Sequence, residues 1–297
     1  MKNSVNLFLS LMLLAIFTMP LISAITLTVN SPKEDLVNNR SVLIDLSSSE
    51  TANFYYIRDI SGPQNWILLC KESKSCMATV TLSGGLNKIG FKAVDMFGNS
   101  KIEKRSLNID VSKPVISKIS PNNNAFVNGD TKFNIAYSEE SLDKIVLNYG
   151  TFLNSKTAVL DNCKSGKNQV CSKSLDLKDF DGQKITFSFT ILDKAGNFIS
   201  SRSNNVNVDV TSPKVKIDYT VNKKKVAFIF EVTENNFDKI KYLDSNEAKP
   251  VLRNLCSNLN VGRCYSNIAL SYGKHKLTIT TTDKAGNSDI QVKEITI

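Results

Sequence analysis

The chain has 297 residues, 41% hydrophobic and 22% charged, with a formal net charge of +9. This is the composition of an ordinary globular chain with ample apolar content for packed cores, rather than of a disordered or fibrous one. Length alone suggests about two domains, but an internal repeat overrides that expectation.

The first 24 residues predict a secretory leader. Lys2 supplies the positive start, residues 7–17 are almost wholly apolar, Pro20 breaks the helix, and Ile22-Ser23-Ala24 offers cleavage after Ala24. The competing reading is a retained membrane anchor, because residues 5–22 border on spanning length. No second long apolar run follows, so a membrane contact is expected only through an uncleaved leader.

From Ile25 onward the pattern is that of short strands. Ile25-Thr26-Leu27-Thr28-Val29 alternates, and a turn follows at Asn30-Ser31-Pro32. Residues 41–46, 54–57, 66–70, 79–82 and 89–93 then read as further strands, with a polar loop at 71–75, and residues 101–111 as the last. That makes seven or so strands in under 90 residues, with no helical periodicity.

The strand ending near residue 93 runs into Asp95-Met96-Phe97-Gly98-Asn99. The same turn recurs, more regularly, as Asp193-Lys194-Ala195-Gly196-Asn197 and Asp283-Lys284-Ala285-Gly286-Asn287. Asp at the first position accepts backbone N–H groups just ahead of it. Two ordinary residues follow, and Gly takes the left-handed position that closes a type I turn with a bulge. A calcium loop is the alternative, but the alternating ligands and distal Glu are missing.

The turns are 98 and 90 residues apart, the size of whole small domains. The apolar register repeats with them. Val80, Leu175 and Ile268 stand four residues after the second cysteine of each repeat, and Phe91, Phe189 and Ile279 stand four before the turn Asp. Period two with one apolar face predicts half-buried antiparallel strands. The junctions Asp110-Val111-Ser112-Lys113-Pro114 and Asp209-Val210-Thr211-Ser212-Pro213 repeat as well. Proline there restrains the linker. The domains expected are 25–111, 112–210 and 211–297, joined end to end.

Six cysteines form three local pairs, Cys70 with Cys76, Cys163 with Cys171 and Cys256 with Cys264, whose first members are each 93 residues apart. Repeat symmetry selects one local disulfide per repeat from the 15 connectivities that six cysteines allow, and an exported chain would keep them oxidised. Zinc fits poorly, since the spacings are long and His275 is the sole histidine.

The charge is uneven. Residues 25–111 carry +1, 112–210 carry +2 and 211–297 carry +5, with Lys223-Lys224-Lys225 the densest run. A basic face of this kind can meet an acidic glycan, lipid headgroups or nucleic acid; the plainer reading is a solvated turn. No aromatics interleave with the lysines as a single-strand groove requires, so nucleic acid is not an expected partner.

No catalytic set or cofactor motif emerges. His275 stands at a strand start, the carboxylates Asp179 and Asp181 flank a turn at Gly182, and Asp35, Asp45, Glu139 and Glu140 point to no common cleft. No phosphate loop or dinucleotide fingerprint is present. Asn39-Arg40-Ser41 is an N-glycosylation acceptor pattern.

With about 90 residues per repeat, seven strands and a penultimate hairpin ending in Asp-Lys-Ala-Gly-Asn, the chain resembles tandem prokaryotic immunoglobulin-like or fibronectin-III-like modules of secreted and cell-surface proteins. The resemblance covers residues 25–297. It implies an all-β fold of three seven-stranded antiparallel sandwiches. It also implies a non-catalytic role as spacer or adhesion segment, or as a module binding a cell-surface protein or anionic glycan. The chain departs from antibody-type domains, whose cysteine pair bridges the two sheets; here the pairs are local.

Overall fold

The computed structural model describes residues 24–33 and 35–297, so all of the leader but Ala24 lies outside the described residues. Among the described residues the fold is all-β, with one short 3₁₀ turn, Lys178–Phe180. Among the described residues no helix is long and apolar enough to cross a membrane. By compactness the chain divides after Asp110 into two units.

The first unit is built on two long strands, Ser41–Ile57 and Ile67–Thr81. The sequence predicts four shorter strands there. The structure instead runs each pair into one bent strand, with the register between them slipping near Ser47, Ala52 and Phe54. Bulges of this kind bend a strand, so a single strand serves both faces of the sandwich. The Cys70–Cys76 bridge sits within the bend, in what reads as a polar loop. Ser41–Ile57 also pairs with Leu27–Ser31 and Gly85–Asp95. Ile44, Leu46, Phe54, Ile89 and Phe91 are buried between the faces.

In the second unit, residues 112–210 form two sheets. One is Gly166–Asp176, Asp130–Glu139 and Val115–Ser120; the other centres on Leu142–Gly150 and Lys184–Asp193. Phe133 and Phe187 meet edge to face across the core, their centroids 4.9 Å apart. Residues 211–297 repeat the plan. Lys214–Asn222, Lys225–Thr233 and Arg263–Ala269 face Arg253–Cys256, Phe237–Asp244, Lys274–Asp283 and Ser288–Thr296. Phe228, Phe230, Ile240 and Leu277 fill that core. Among the described residues the pairing is antiparallel except in two places. Leu36–Val37 runs parallel to Ser100–Ile109, and Ala125–Val127 runs parallel to Asn204–Val208.

The recurring turn has one geometry in all three repeats. Asp95 N donates to Asn99 O (3.0 Å) and Gly98 N to Asp95 O (3.2 Å). The carboxylate does the rest: Oδ1 accepts Phe97 N and Asn99 N, and Oδ2 accepts Asn99 Nδ2 (2.8 Å). Asn197 and Asn287 bond to both oxygens of Asp193 and Asp283 in the same way. The hydrogen bond from the Asn99 side chain, aided by the backbone N–H groups and opposed by burial, holds the Asp95 carboxyl below its ordinary range. Gly98, Gly196 and Gly286 stand at φ 84, 90 and 92, the left-handed region that glycine enters without penalty.

A Cβ on Gly98 meets nothing within 4 Å, so a substitution there is opposed by the backbone conformation alone. Gly98→Ala is therefore expected to destabilise the first repeat by about 1 kcal/mol. Met96→Ala, at a side chain 87% exposed, should change little. Urea unfolding followed by fluorescence of Trp66, the only tryptophan, reads both; equal midpoints for the two variants would contradict the assignment.

Candidate functional site

The residues that carry chemistry gather at the two ends of the third repeat. At one end the chain leaves Asn204–Val208, turns through Asp209 and enters Lys214–Asn222. Asp209 is held from both of its chemical ends: its carbonyl accepts Asn287 Nδ2 (2.7 Å) and its Oδ2 accepts Asn236 Nδ2 (2.9 Å). Lys284 Nζ lies 5.8 Å from the Phe126 ring centroid, across the same joint. The turn asparagine thus locks its own hairpin and also ties the third repeat to the exit of the second.

This joint brings three carboxylates together. Oxygens of Asp209, Glu234 and Asp283 all lie within 4.8 Å of one another. Glu234 Oε1 also accepts Asn236 N (2.7 Å), and Lys284 N donates to Asn236 O (2.8 Å). The second repeat carries the matching pair. Glu139 and Asp193 oxygens lie within 4.8 Å of each other, Ser141 N donates to Glu139 Oε1 (2.7 Å), and Lys194 N donates to Ser141 O (2.8 Å). Sequence reading assigns no metal ligand and finds no common cleft for the acids. The fold nonetheless groups Asp209, Glu234 and Asp283, and these are the residues of the second unit that could hold a cation. The amides of Asn236 and Asn287 already supply hydrogens to them. The missed signal is Glu139-Glu140-Ser141 against Glu234-Asn235-Asn236, which align between the last two repeats.

At the other end of the third repeat lies a buried ion pair that sequence reading does not reach. His275, 7% exposed, approaches Asp244, 0% exposed, with Nδ1 2.5 Å from Oδ2. Its Nε2 is 3.0 Å from the Ser271 carbonyl and 3.4 Å from the Ser271 hydroxyl. Serine, histidine and aspartate in line suggest a nucleophile triad, but the proton inventory says otherwise. A carbonyl only accepts, so Nε2 carries a hydrogen; the carboxylate claims the hydrogen on Nδ1. A hydrogen on Nε2 leaves no lone pair facing the Ser271 hydroxyl, and the three residues form a clasp that joins Asp244 to the Ser271 carbonyl through the ring. The partners are 31 residues apart, so the sequence holds no local signal for the pairing.

Burial pulls the His275 pKa down. The hydrogen bonds to Asp244 and the Ser271 carbonyl, with the charges of Asp244 and Glu247, outweigh it, and the pKa stands above its ordinary value.

The lysine run Lys223-Lys224-Lys225 is exposed. Lys223, at φ 53, and Lys224 form the tip of the hairpin that joins Lys214–Asn222 to Lys225–Thr233. Lys224 Nζ stands 4.7 Å from the Tyr272 ring centroid. Elsewhere in the repeat, Lys216 and Arg263 are engaged by Glu231, and Arg253 by Glu247. The three cysteine pairs are bonded, Cys70–Cys76, Cys163–Cys171 and Cys256–Cys264, with Cα separations of 5.8, 5.4 and 6.3 Å.

No family model matches the chain, and no curated protein matches it. Among solved structures it is similar to an I-band fragment of titin (14% identity, 93% of this chain and 99% of that one, TM-score 0.45). It is also similar to the FN1–FN3 domains of chicken CNTN1 (10%, 91% and 97%, TM-score 0.42). A third is a 1.5-MDa bacterial ice-binding adhesin (12%, 92% and 96%, TM-score 0.35). The strand pairing and the three repeated turns are those of antiparallel β-sandwiches in tandem.

The clasp gives a pH dependence of definite sign. A group whose folded pKa is raised contributes its stability in full below the unfolded value and loses it as pH rises through the folded value. The stability of the third repeat is therefore expected to fall as pH rises above the ordinary histidine range. His275→Gln should flatten that slope. Hydrogen exchange of the amides in Lys274–Asp283 at graded pH reads this; an identical slope in the variant would contradict it.

Proposed function

We propose that the chain is an exported, non-catalytic spacer or adhesion segment, made of three sandwiches in series over residues 25–111, 112–210 and 211–297. The observation that carries this is the joint at Asp209, where two asparagines of the third repeat grip the exit of the second through hydrogen bonds of 2.7 and 2.9 Å. A joint held at both the carbonyl and the carboxylate resists bending, which a spacer needs and a free linker does not provide. One disulfide within each repeat supports export, since such bonds persist in oxidising compartments. Residues 1–24 would supply the route out, with cleavage after Ala24. Each cross-link also lowers the entropy of the unfolded chain, worth roughly 2–3 kcal/mol for loops this short, and secures a module that works outside the cell. Single-molecule stretching of the chain is expected to give three separate unfolding events, each adding about 30 nm of length. A single merged event would contradict three folding units in series.

A second reading is favoured by the exposed hairpin tip of Lys223, Lys224 and Lys225 in the most basic repeat. Here the third repeat binds an anionic glycan or an acidic protein surface. Charge contacts at an exposed tip are screened over about 10 Å at 0.1 M salt, so retention should be weak and salt-dependent. On an acidic polysaccharide column, changing all three lysines to Gln is expected to move elution to clearly lower salt. Unchanged elution would leave the spacer reading alone.

A further inference from the structure

Asn39 lies in the first repeat between the strands Leu36–Val37 and Ser41–Ile57, in a stretch without regular structure. Both ends of that stretch are pinned. Asp110 N donates to Val37 O (2.9 Å), and Leu82 N donates to Arg40 O (2.8 Å). Between these anchors residues 38–41 are exposed. Asn39 Oδ1 accepts the backbone N–H of Ser41 (2.9 Å), which folds the side chain toward the residue two places on. Its Nδ2 has no hydrogen-bond partner among the described residues, and neither has the Ser41 hydroxyl.

We propose that Asn39 is an acceptor for N-linked glycosylation. It is the only asparagine of the sequence with Ser or Thr two residues on and no proline between. The other prominent asparagines are spent: Asn99, Asn197 and Asn287 give their side-chain amides to the turn carboxylates, and none has a hydroxyl residue at the second following position. At Asn39 the amide oxygen is held by a backbone donor while the amide nitrogen is free and exposed. The donor is a polyprenyl-phosphate-linked or diphosphate-linked oligosaccharide. In the transfer, Nδ2 forms a bond to the anomeric carbon of the first sugar. The bond from that carbon to the phosphate oxygen breaks, the polyprenyl phosphate or diphosphate leaves with the electron pair, and one Nδ2 proton passes to a base of the transferase. The sugar then stands on an exposed bend, at a residue that belongs to no strand.

The proposal concerns modification of an exported chain and is independent of whether the repeats act as spacers. The test places the full chain behind the leader of a eukaryotic secretory host, so that entry to the lumen does not depend on residues 1–24. Chain recovered from the medium is mapped by mass spectrometry, and non-reducing peptides confirm its three disulfides. The expected result is a glycan on the peptide that contains Asn39. Enzymatic release in heavy-oxygen water should leave the isotopic label at position 39. Ser41→Ala is expected to abolish the modification and Ser41→Thr to keep or raise its occupancy. Because Ser41 is exposed, both variants should fold and carry the same disulfides. An unmodified Asn39 in secreted, disulfide-bonded chain would overturn the proposal, as would a glycan at Asn39 that persists in Ser41→Ala.

Discussion

Everything in this fold hangs on a carboxylate that holds a five-residue turn closed. Asp95, Asp193 and Asp283 each accept the backbone N–H and the side-chain amide of the asparagine four residues on. The turn fixes where the hairpin begins, and the hairpin fixes register. A slip of one residue would turn Ile89, Phe91 and Ala93, or Phe187, Phe189 and Ile191, from core to solvent. Acid weakens the device at Asp95 in a defined sense. The folded carboxyl titrates lower than the unfolded one, so the stability it contributes is present above the ordinary carboxylate range and is lost as pH falls through the folded value. His275 has the opposite sign at the far end of the third repeat, so acid and base loosen different parts of the molecule.

The turn does a second task where the repeats join. Asn287 locks its own hairpin and reaches the carbonyl of Asp209, so the third repeat and its joint to the second share one hydrogen-bonding residue. Asn236 adds the grip on the Asp209 carboxylate, and Gln291 Nε2, on Ser288–Thr296, holds Val215 O (2.7 Å) in the strand that follows the joint. A short polar set therefore holds the start of the third repeat. The carboxylates of Asp209, Glu234 and Asp283 are crowded there because each serves as an acceptor in that network.

Much of the architecture was legible from local rules. The Asp-x-x-Gly-Asn turns, the period-two face of Ile89 and Phe91, and the 93-residue spacing of the cysteines each depend on neighbours in sequence. Other features depend on contacts that no local pattern encodes. The strand Ser41–Ile57 reads as two strands because Ser47 to Glu50 is polar, yet bulges carry the pairing through it. The two short parallel pairings join residues at opposite ends of a repeat, Leu36 with Asn108 and Ala125 with Val206. The Asp244–His275 clasp was invisible for the same reason, since a histidine's partner is set by the sandwich and not by the strand it starts. The lysine tip reads correctly as an exposed turn, but the placing of Lys224 over Tyr272 needs the fold.

The most direct test of this account is native-state amide hydrogen exchange at Asn99, Asn197 and Asn287. Each of these N–H groups is assigned to a turn carboxylate and sits outside the strand ladders. If the carboxylate lock is what closes the repeats, these three amides will exchange as slowly as the core strands that flank them, through unfolding of the whole sandwich. If they exchange at the rate of an open loop while the strands remain protected, the turns are mere connections and the account fails.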